Sequence, residues 1–164
     1  YQDRVYAVIL RMCGNAEDAA ELTQDTFVKV LENISGFEKR SSFYTWVFRI
    51  AANLTINRGK RRAMGRRRGL VGGGFEDAKE LVASAEPQAA DPSEAAVNRE
   101  LYELTEKALL DLDEDRRAVL ILRDMEDMSY VQIAEVLGLE SGTVKSRLAR
   151  ARASLRKALE VAIK

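Results

Sequence analysis

The chain has no histidine and one cysteine, Cys13, among its 164 residues. These two shortages exclude intrachain disulfides, Cys/His zinc sites, Ser-His-Asp triads and Cys-His dyads together. An enzyme is therefore the least expected class, and neither a metal nor an organic cofactor is expected. Cys13 sits in the run VYAVILRMC, where a small buried thiol outweighs a reactive one. Long apolar runs are missing too: none approaches the roughly 18 residues of a membrane span. No basic segment followed by an apolar stretch marks a signal peptide at Tyr1. We expect a cytoplasmic protein that does not insert into membranes. The sequence opens without methionine, so the natural N-terminus is expected to be longer. Strand signals are weak as well, because valine and isoleucine recur at helical spacings and no run alternates with period two.

What is present is charge, unevenly distributed. Lys+Arg and Asp+Glu are each 26, giving a formal net charge of +0. Yet Arg58 to Arg68 contains seven basic residues and no acid, and Lys145 to Lys164 contains seven against Glu160 alone. Between Glu76 and Asp115 there are thirteen acids and three bases. Two cationic patches flank an acidic middle, which bears on partners rather than on fold.

The periodicity predicts an all-α protein of two small helical bundles joined by a flexible linker. A first helix over 3–13 places Val5, Val8, Ile9 and Met12 on one face. Asn15 caps a second helix with Glu17 and Asp18 in its first turn and an apolar face of Leu22, Phe27, Val30, Leu31 and Ile34. It stops near Ser35-Gly36. Ser41 or Ser42 caps a third, in which Trp46, Ile50, Ala51 and Leu54 repeat on one side while Arg49, Asn53 and Asn57 align on another. Residues 63–96 hold five glycines and both prolines and read as linker, with a short helical turn around Glu76 to Ala83. Linkers of this length separate folded units, here 1–62 and 97–164. The second unit restarts with helices from Asn98 to Leu112 and Glu114 to Met125. Ser129 and Gln132 then fit a capping box, Ile133, Ala134 and Leu137 face inward, and Gly138 ends that short helix. Ser141 or Thr143 starts a last helix whose inward stripe is Val144, Leu148, Ala151 and Leu155. Helix, glycine turn, helix is the helix-turn-helix layout.

Facing that stripe inward leaves Lys145, Ser146, Ala149, Arg150, Arg152 and Ala153 on or near the open side. A merely solvated face would interleave acids for i, i+4 pairs; this helix has almost none, and it suits the major groove, where Lys and Arg meet guanine acceptors. Arg147, Arg156 and Lys157 are better placed for phosphates. The first cationic patch is different. Phe37, Phe43, Tyr44, Trp46 and Phe48, five of the eleven aromatic residues, precede it within a dozen positions. Rings beside cations suit unpaired bases. For Trp46 and Phe48 the helical register favours a core role; for Phe43 and Tyr44 core and base contact stay equally open.

The segments AAELTQDTFVKVLENISGF, SSFYTWVFRIAANLTINRGKRR and DEDRRAVLILRDMEDMSYVQIAEVLGLESGTVKSRLARARASLRKAL resemble, in order, the signatures of bacterial sigma factors of the extracytoplasmic-function group. The last motif alone also occurs in response regulators; three in sequence are specific. The resemblance implies that residues 1–62 form sigma region 2, which docks on the clamp helices of the largest RNA polymerase subunit and melts the minus-ten promoter element. Docking would fall to Glu21, Gln24, Asp25 and Lys29. Phe37, Ser41, Ser42, Phe43, Tyr44 and Asn53 match a loop and helix that capture a base flipped from the single strand, while Asn57, Arg58 and Arg61 would follow that strand. Residues 97–164 would form region 4, which reads the minus-thirty-five duplex and meets the flap of the second polymerase subunit. Lys145, Ser146, Arg147, Ala149 and Arg150 match base-reading positions, and Thr143 and Arg152 match backbone contacts. The family commonly uses an anti-sigma partner that covers the polymerase-facing surfaces. Glu21 stands where Asp is frequent, and Ala149 offers only a methyl contact. The first helix of region 2 is expected to lack its beginning, and nothing after region 4 suggests a further domain.

Rival readings are a stand-alone helix-turn-helix regulator and a helical module that binds only protein. The first gives no role to the aromatic cluster or the linker, and no dimer seam is evident. The second leaves the basic helix merely solvated.

Overall fold

A computed structural model describes residues 1–68 and 92–162. Among the described residues there are seven α-helices and no strand: α1 (Gln2–Cys13), α2 (Ala16–Asn33), α3 (Phe43–Arg67), α4 (Pro92–Leu110), α5 (Glu114–Leu120), α6 (Tyr130–Leu137) and α7 (Ser141–Ala162). A 3₁₀ turn over Ile34–Gly36 follows α2, and a π turn over Ile121–Met125 extends α5. Helix thus covers 63–67 and 92–96, both within the expected linker; the helical turn expected around Glu76 to Ala83 lies outside the described residues.

Local chemistry accounts for most of the boundaries. Val5, Val8, Ile9 and Met12 of α1 are buried, and Gly14 ends the helix at φ 69 with its N–H donating to the Leu10 carbonyl, a left-handed cap that glycine takes without a Cβ penalty. Burial pushes the Cys13 thiol up to about 11, consistent with an inert side chain whose Sγ donates to the Asn15 carbonyl at 3.3 Å. Asn15 caps α2, accepting from the Asp18 amide at 2.8 Å. Ser42 is the cap of α3, accepting from the Thr45 amide at 3.0 Å. The capping box at α6 is complete: the Ser129 amide donates to Gln132 Oε1 at 2.8 Å and the Gln132 amide to Ser129 Oγ at 3.2 Å. Gly138 closes α6 at φ 64.

Two expected faces are rotated. On α2, Leu22 and Val30 are buried with Ala19, but Leu31 is 74% exposed and Ile34 is exposed too. At roughly 100° per residue Leu31 stands opposite Leu22, so a list of apolar residues spread over both sides does not define one face. On α3 the core consists of Val47, Phe48, Ala51 and Ala52; Trp46, Ile50 and Leu54 lie half-buried along its flank. Phe48 alone, fully enclosed, contributes about 2–3 kcal/mol of apolar burial. Buried threonines on both helices return their hydroxyls to the preceding turn, Thr26 to the Leu22 carbonyl at 2.7 Å and Thr55 to the Ala51 carbonyl at 2.8 Å.

The two bundles do not stand apart. Their cores join, running from Val5 and Phe48 through Leu109 and Ile121 to Val144 and Ala151, with α1 against α4 and the π turn and α3 against α6. Arg117, 6% exposed, marks the seam. Its guanidinium donates to the Met12 carbonyl at 2.6 Å, the Leu110 carbonyl at 2.8 Å and the Leu112 carbonyl at 2.7 Å. One cation thereby satisfies helix-end carbonyls from both bundles, and each bond to a charged donor offsets part of the desolvation cost. Burial lowers the Arg117 pKa.

Candidate nucleic-acid and polymerase interfaces

On α7 the inward stripe is Val144, Leu148 and Ala151, all buried, with Leu155 half-buried. The opposite side presents Lys145, Ser146, Ala149 and Arg150 to solvent, with Arg152 exposed next to them and Thr143 and Arg147 half-buried. The flanking arginines are anchored. Arg147 pairs with Asp115 at 3.3 Å, and Arg152 Nε donates to Asp124 Oδ2 at 3.2 Å, which raises the Arg152 pKa. Lys145 Nζ lies 5.7 Å from the Tyr130 ring centroid, a cation–π distance that steadies a long side chain without consuming its charge. Ser146 Oγ donates to the Thr143 carbonyl at 3.1 Å. The result is a short open strip of one lysine, one serine, one methyl and one free guanidinium, held between two tethered arginines.

The α3 side combines rings, amides and a hollow. Phe37, Phe43 and Trp46 form one cluster, with centroids 4.9 Å apart for Phe37–Trp46 and 5.8 Å for Phe37–Phe43. Beside it a cavity of about 400 Å³ is lined by Lys29, Asn33, Gly36, Trp46, Ile50, Asn53 and Leu54, an apolar and aromatic wall with amides at its mouth. Of the residues matched to base capture, Asn53 lines this hollow and Phe37 and Phe43 pack on its Trp46 wall. Ser41 lies half-buried in the loop. Ser42 is occupied as a helix cap, and its Oγ lies 2.8 Å from Thr45 Oγ1. Tyr44 points elsewhere, donating its hydroxyl to the Glu126 carboxylate of the other bundle; burial and that hydrogen bond raise its pKa. Asn57 and Arg61 are exposed. Arg58 is engaged, at 3.2 Å from Asp18 and 2.9 Å from Glu21, and Arg62 Nη2 also donates to Asp18 at 2.8 Å.

Glu21, Gln24, Asp25 and Lys29 are exposed on α2, in the i, i+3, i+4, i+8 positions of one helix face. Glu21 is held by Arg58, whose hydrogen bond lowers its pKa. Residues expected to meet polymerase and DNA therefore hold one another. Lys29 Nζ reaches Glu32 at 2.7 Å.

Sequence reasoning missed two features here. Val28 and Leu31, 47% and 74% exposed, add an apolar centre to the charged α2 face; the signal was their angular offset from Leu22, about half a turn for Leu31 and about a third of a turn for Val28. Lys29 and Asn33 line the hollow from α2, and no local motif connects them to Asn53 on another helix.

Residues 1–64 match the family profile described as sigma-70 region 2, and residues 102–155 that of sigma-70 region 4. The chain is 32% identical over 159 residues to the ECF RNA polymerase sigma factor SigW of Bacillus subtilis, covering 97% of this chain and 84% of that one. It is 35% identical over 161 residues to the RNA polymerase sigma-H factor of Pseudomonas aeruginosa, covering 98% and 82%. Its fold is similar to that of the sigma factor RpoE of Bartonella quintana, solved in complex with the anti-sigma factor NepR, with a TM-score of 0.73, 27% identity and coverage of 98% and 92%. With three helical signatures in order and both regions matched, the chain belongs to the sigma-70 family, as an RNA polymerase sigma factor of the extracytoplasmic-function group.

Proposed function

We propose that the two bundles divide promoter recognition by the state of the DNA they meet. Residues 97–164 read the minus-thirty-five duplex through Lys145, Ser146, Ala149 and Arg150, with Arg147, Arg152 and Thr143 on the flanking backbone. Residues 1–62 capture unpaired bases of the minus-ten element at the Phe37, Phe43 and Trp46 rings and the Asn53 hollow, while Asn57, Arg58 and Arg61 follow the strand. Ser41, Ser42 and Tyr44 belong to the loop and helix start beside that hollow. The α2 face of Glu21, Gln24, Asp25 and Lys29 docks on the clamp helices of the polymerase largest subunit, with Val28 and Leu31 as its apolar centre, and the second bundle meets the flap of the second subunit. The observation that carries this division is that an open basic strip on a helix and a hollow of about 400 Å³ lined by Trp46, Asn33 and Asn53 occur on different bundles.

The chain contributes binding energy and leaves the chemistry to polymerase. Unstacking a base costs a few kcal/mol, which ring contacts and polymerase docking offset, and tethering lets two modest affinities multiply. Such work takes place in the cytoplasm, and among the described residues no helix is long and apolar enough to cross a membrane. An anti-sigma partner is part of the proposal, by analogy with the NepR-bound RpoE. Run-off transcription with purified core polymerase and a promoter library tests the whole: selective transcripts depending on both promoter elements are expected, and promoter-independent initiation would contradict it.

A further inference from the structure

Tyr130 opens α6, and its ring is the meeting point of two cations. Arg123 Cζ lies 5.4 Å from the ring centroid and Lys145 Nζ 5.7 Å, both inside the roughly 6 Å over which a ring face attracts a charge. The two cations are not equivalent. Arg123 is spent on its own turn, where Nη1 donates to the Met128 carbonyl at 2.7 Å and lies 3.6 Å from Asp127 Oδ1. Lys145 is exposed on the open side of α7 and takes its support from the ring of another helix. That ring is itself well held. The residue before it is the Ser129 cap, locked to Gln132 in the capping box, and Tyr130 is half-buried against the core. Because α6 and α7 flank the Gly138 turn, the contact spans the helix-turn-helix and ties the lysine on the second helix to the start of the first.

We infer that Tyr130 is a positioning residue for base reading: its ring fixes where the Lys145 ammonium stands, and so sets how sharply that lysine discriminates between bases. This rests on the reading of Lys145 as a base contact proposed above. Lysine is a point charge on a flexible stem, without the planar fork by which arginine orients itself on guanine. An unanchored ammonium can swing to a neighbouring phosphate, a contact that carries no sequence information. Holding it from α6 disfavours that alternative and leaves its charge intact. Its neighbours on the strip cannot supply the anchor, since the Ser146 hydroxyl is returned to the Thr143 carbonyl at 3.1 Å and Ala149 offers only a methyl. An exposed cation–π contact weights one arrangement over the others by a factor of about two to five, which sets the size of the effect. The ring face holds the lysine and the hydroxyl has no part in it, which separates this role both from a backbone contact by the phenol oxygen and from simple packing.

The test compares Tyr130→Phe, which keeps the ring, with Tyr130→Leu, which keeps apolar bulk and loses the ring, in the full chain bound to core polymerase. Lys145→Ala first locates the base position that Lys145 reads, by transcription from a library randomised over the minus-thirty-five element. Tyr130→Leu is expected to lower discrimination at that position about two- to fivefold and to leave the position that depends on Arg150 unchanged, while Tyr130→Phe matches the parent there. In the Lys145→Ala background Tyr130→Leu should add nothing at that position. In the free chain, ring currents should move the proton resonances of the Lys145 ε-methylene upfield in the parent and in Tyr130→Phe, and not in Tyr130→Leu. The shift is read in the parent, so the contact stands or falls without any variant. A parent lacking it, equal losses in the Phe and Leu variants, a loss spread over every position, or a loss that persists without Lys145 overturns the positioning role and leaves base reading by Lys145 intact. A Lys145→Ala profile with no positional loss overturns the base-reading assignment, and the inference falls with it.

Discussion

The two cationic surfaces are built on opposite plans. On α7 the outer arginines are tied to acids of their own bundle, Arg147 to Asp115 and Arg152 to Asp124, and the centre is left open. On α3 the central groups themselves are tied, Arg58 to Asp18 and Glu21 and Tyr44 across the seam to Glu126. Reading paired bases rewards a rigid helix set in advance, because the groove is already there. Holding splayed bases follows a melting step, so its groups can be kept on internal partners and released when the strand arrives. If the proposed roles hold, the difference teaches that exposure of a basic side chain in the free protein is a poor guide to whether it belongs to the interface; what matters is which partner replaces the internal one.

The comparison can be broken at its common foundation first. Arg117→Ala removes a buried cation from three carbonyls of two bundles and leaves them unpaired, at a cost of about 3–5 kcal/mol; urea unfolding followed by circular dichroism should show the midpoint fall for both bundles together, whereas a loss confined to one would mean the seam is energetically minor. Leu31→Asp sharpens the contrast between docking and DNA reading. It sits outside the core, so stability should hold while competition for core polymerase weakens by about 2 kcal/mol. Arg150→Ala probes the open strip alone, and promoter-library transcription should lose about 1–3 kcal/mol of discrimination at one base position; equal losses on every promoter would reduce the residue to a phosphate contact. The smallest effect belongs to Ser129→Ala, which removes half of the capping box in front of the recognition helix and should cost about 1 kcal/mol in thermal unfolding.

Much of the architecture was legible because it is written in local chemistry. Asn15, Ser129 with Gln132, and Gly138 act within a turn of their own positions, so caps and helix ends could be read directly, and the α7 stripe follows a single unbroken register. The errors arose where neighbours in space decide. Leu31 and Ile34 are apolar, yet only packing against α1 and α3 says which side of α2 is covered. Trp46 was favoured as core; it packs half-buried against the core and also forms a wall of the hollow. The roles of Glu126, Arg117 and Gly59 depend on contacts between distant segments; the Glu114 carboxylate occupies the space a Cβ on Gly59 would need. Nothing in DMEDMSY or INRGKRR announces such pairings. Charge segregation was plain in the sequence, but that Arg58 and Glu21 neutralise each other required the fold.

The division between duplex and single-strand reading is tested most directly by footprinting Arg150→Ala and Asn53→Ala holoenzymes side by side on one promoter, with nuclease protection for occupancy and permanganate for unpaired thymines. The account predicts that Arg150→Ala lowers occupancy and permanganate reactivity together, while Asn53→Ala keeps protection of the minus-thirty-five duplex and loses permanganate reactivity at the minus-ten element. Indistinguishable footprints from the two variants would contradict it.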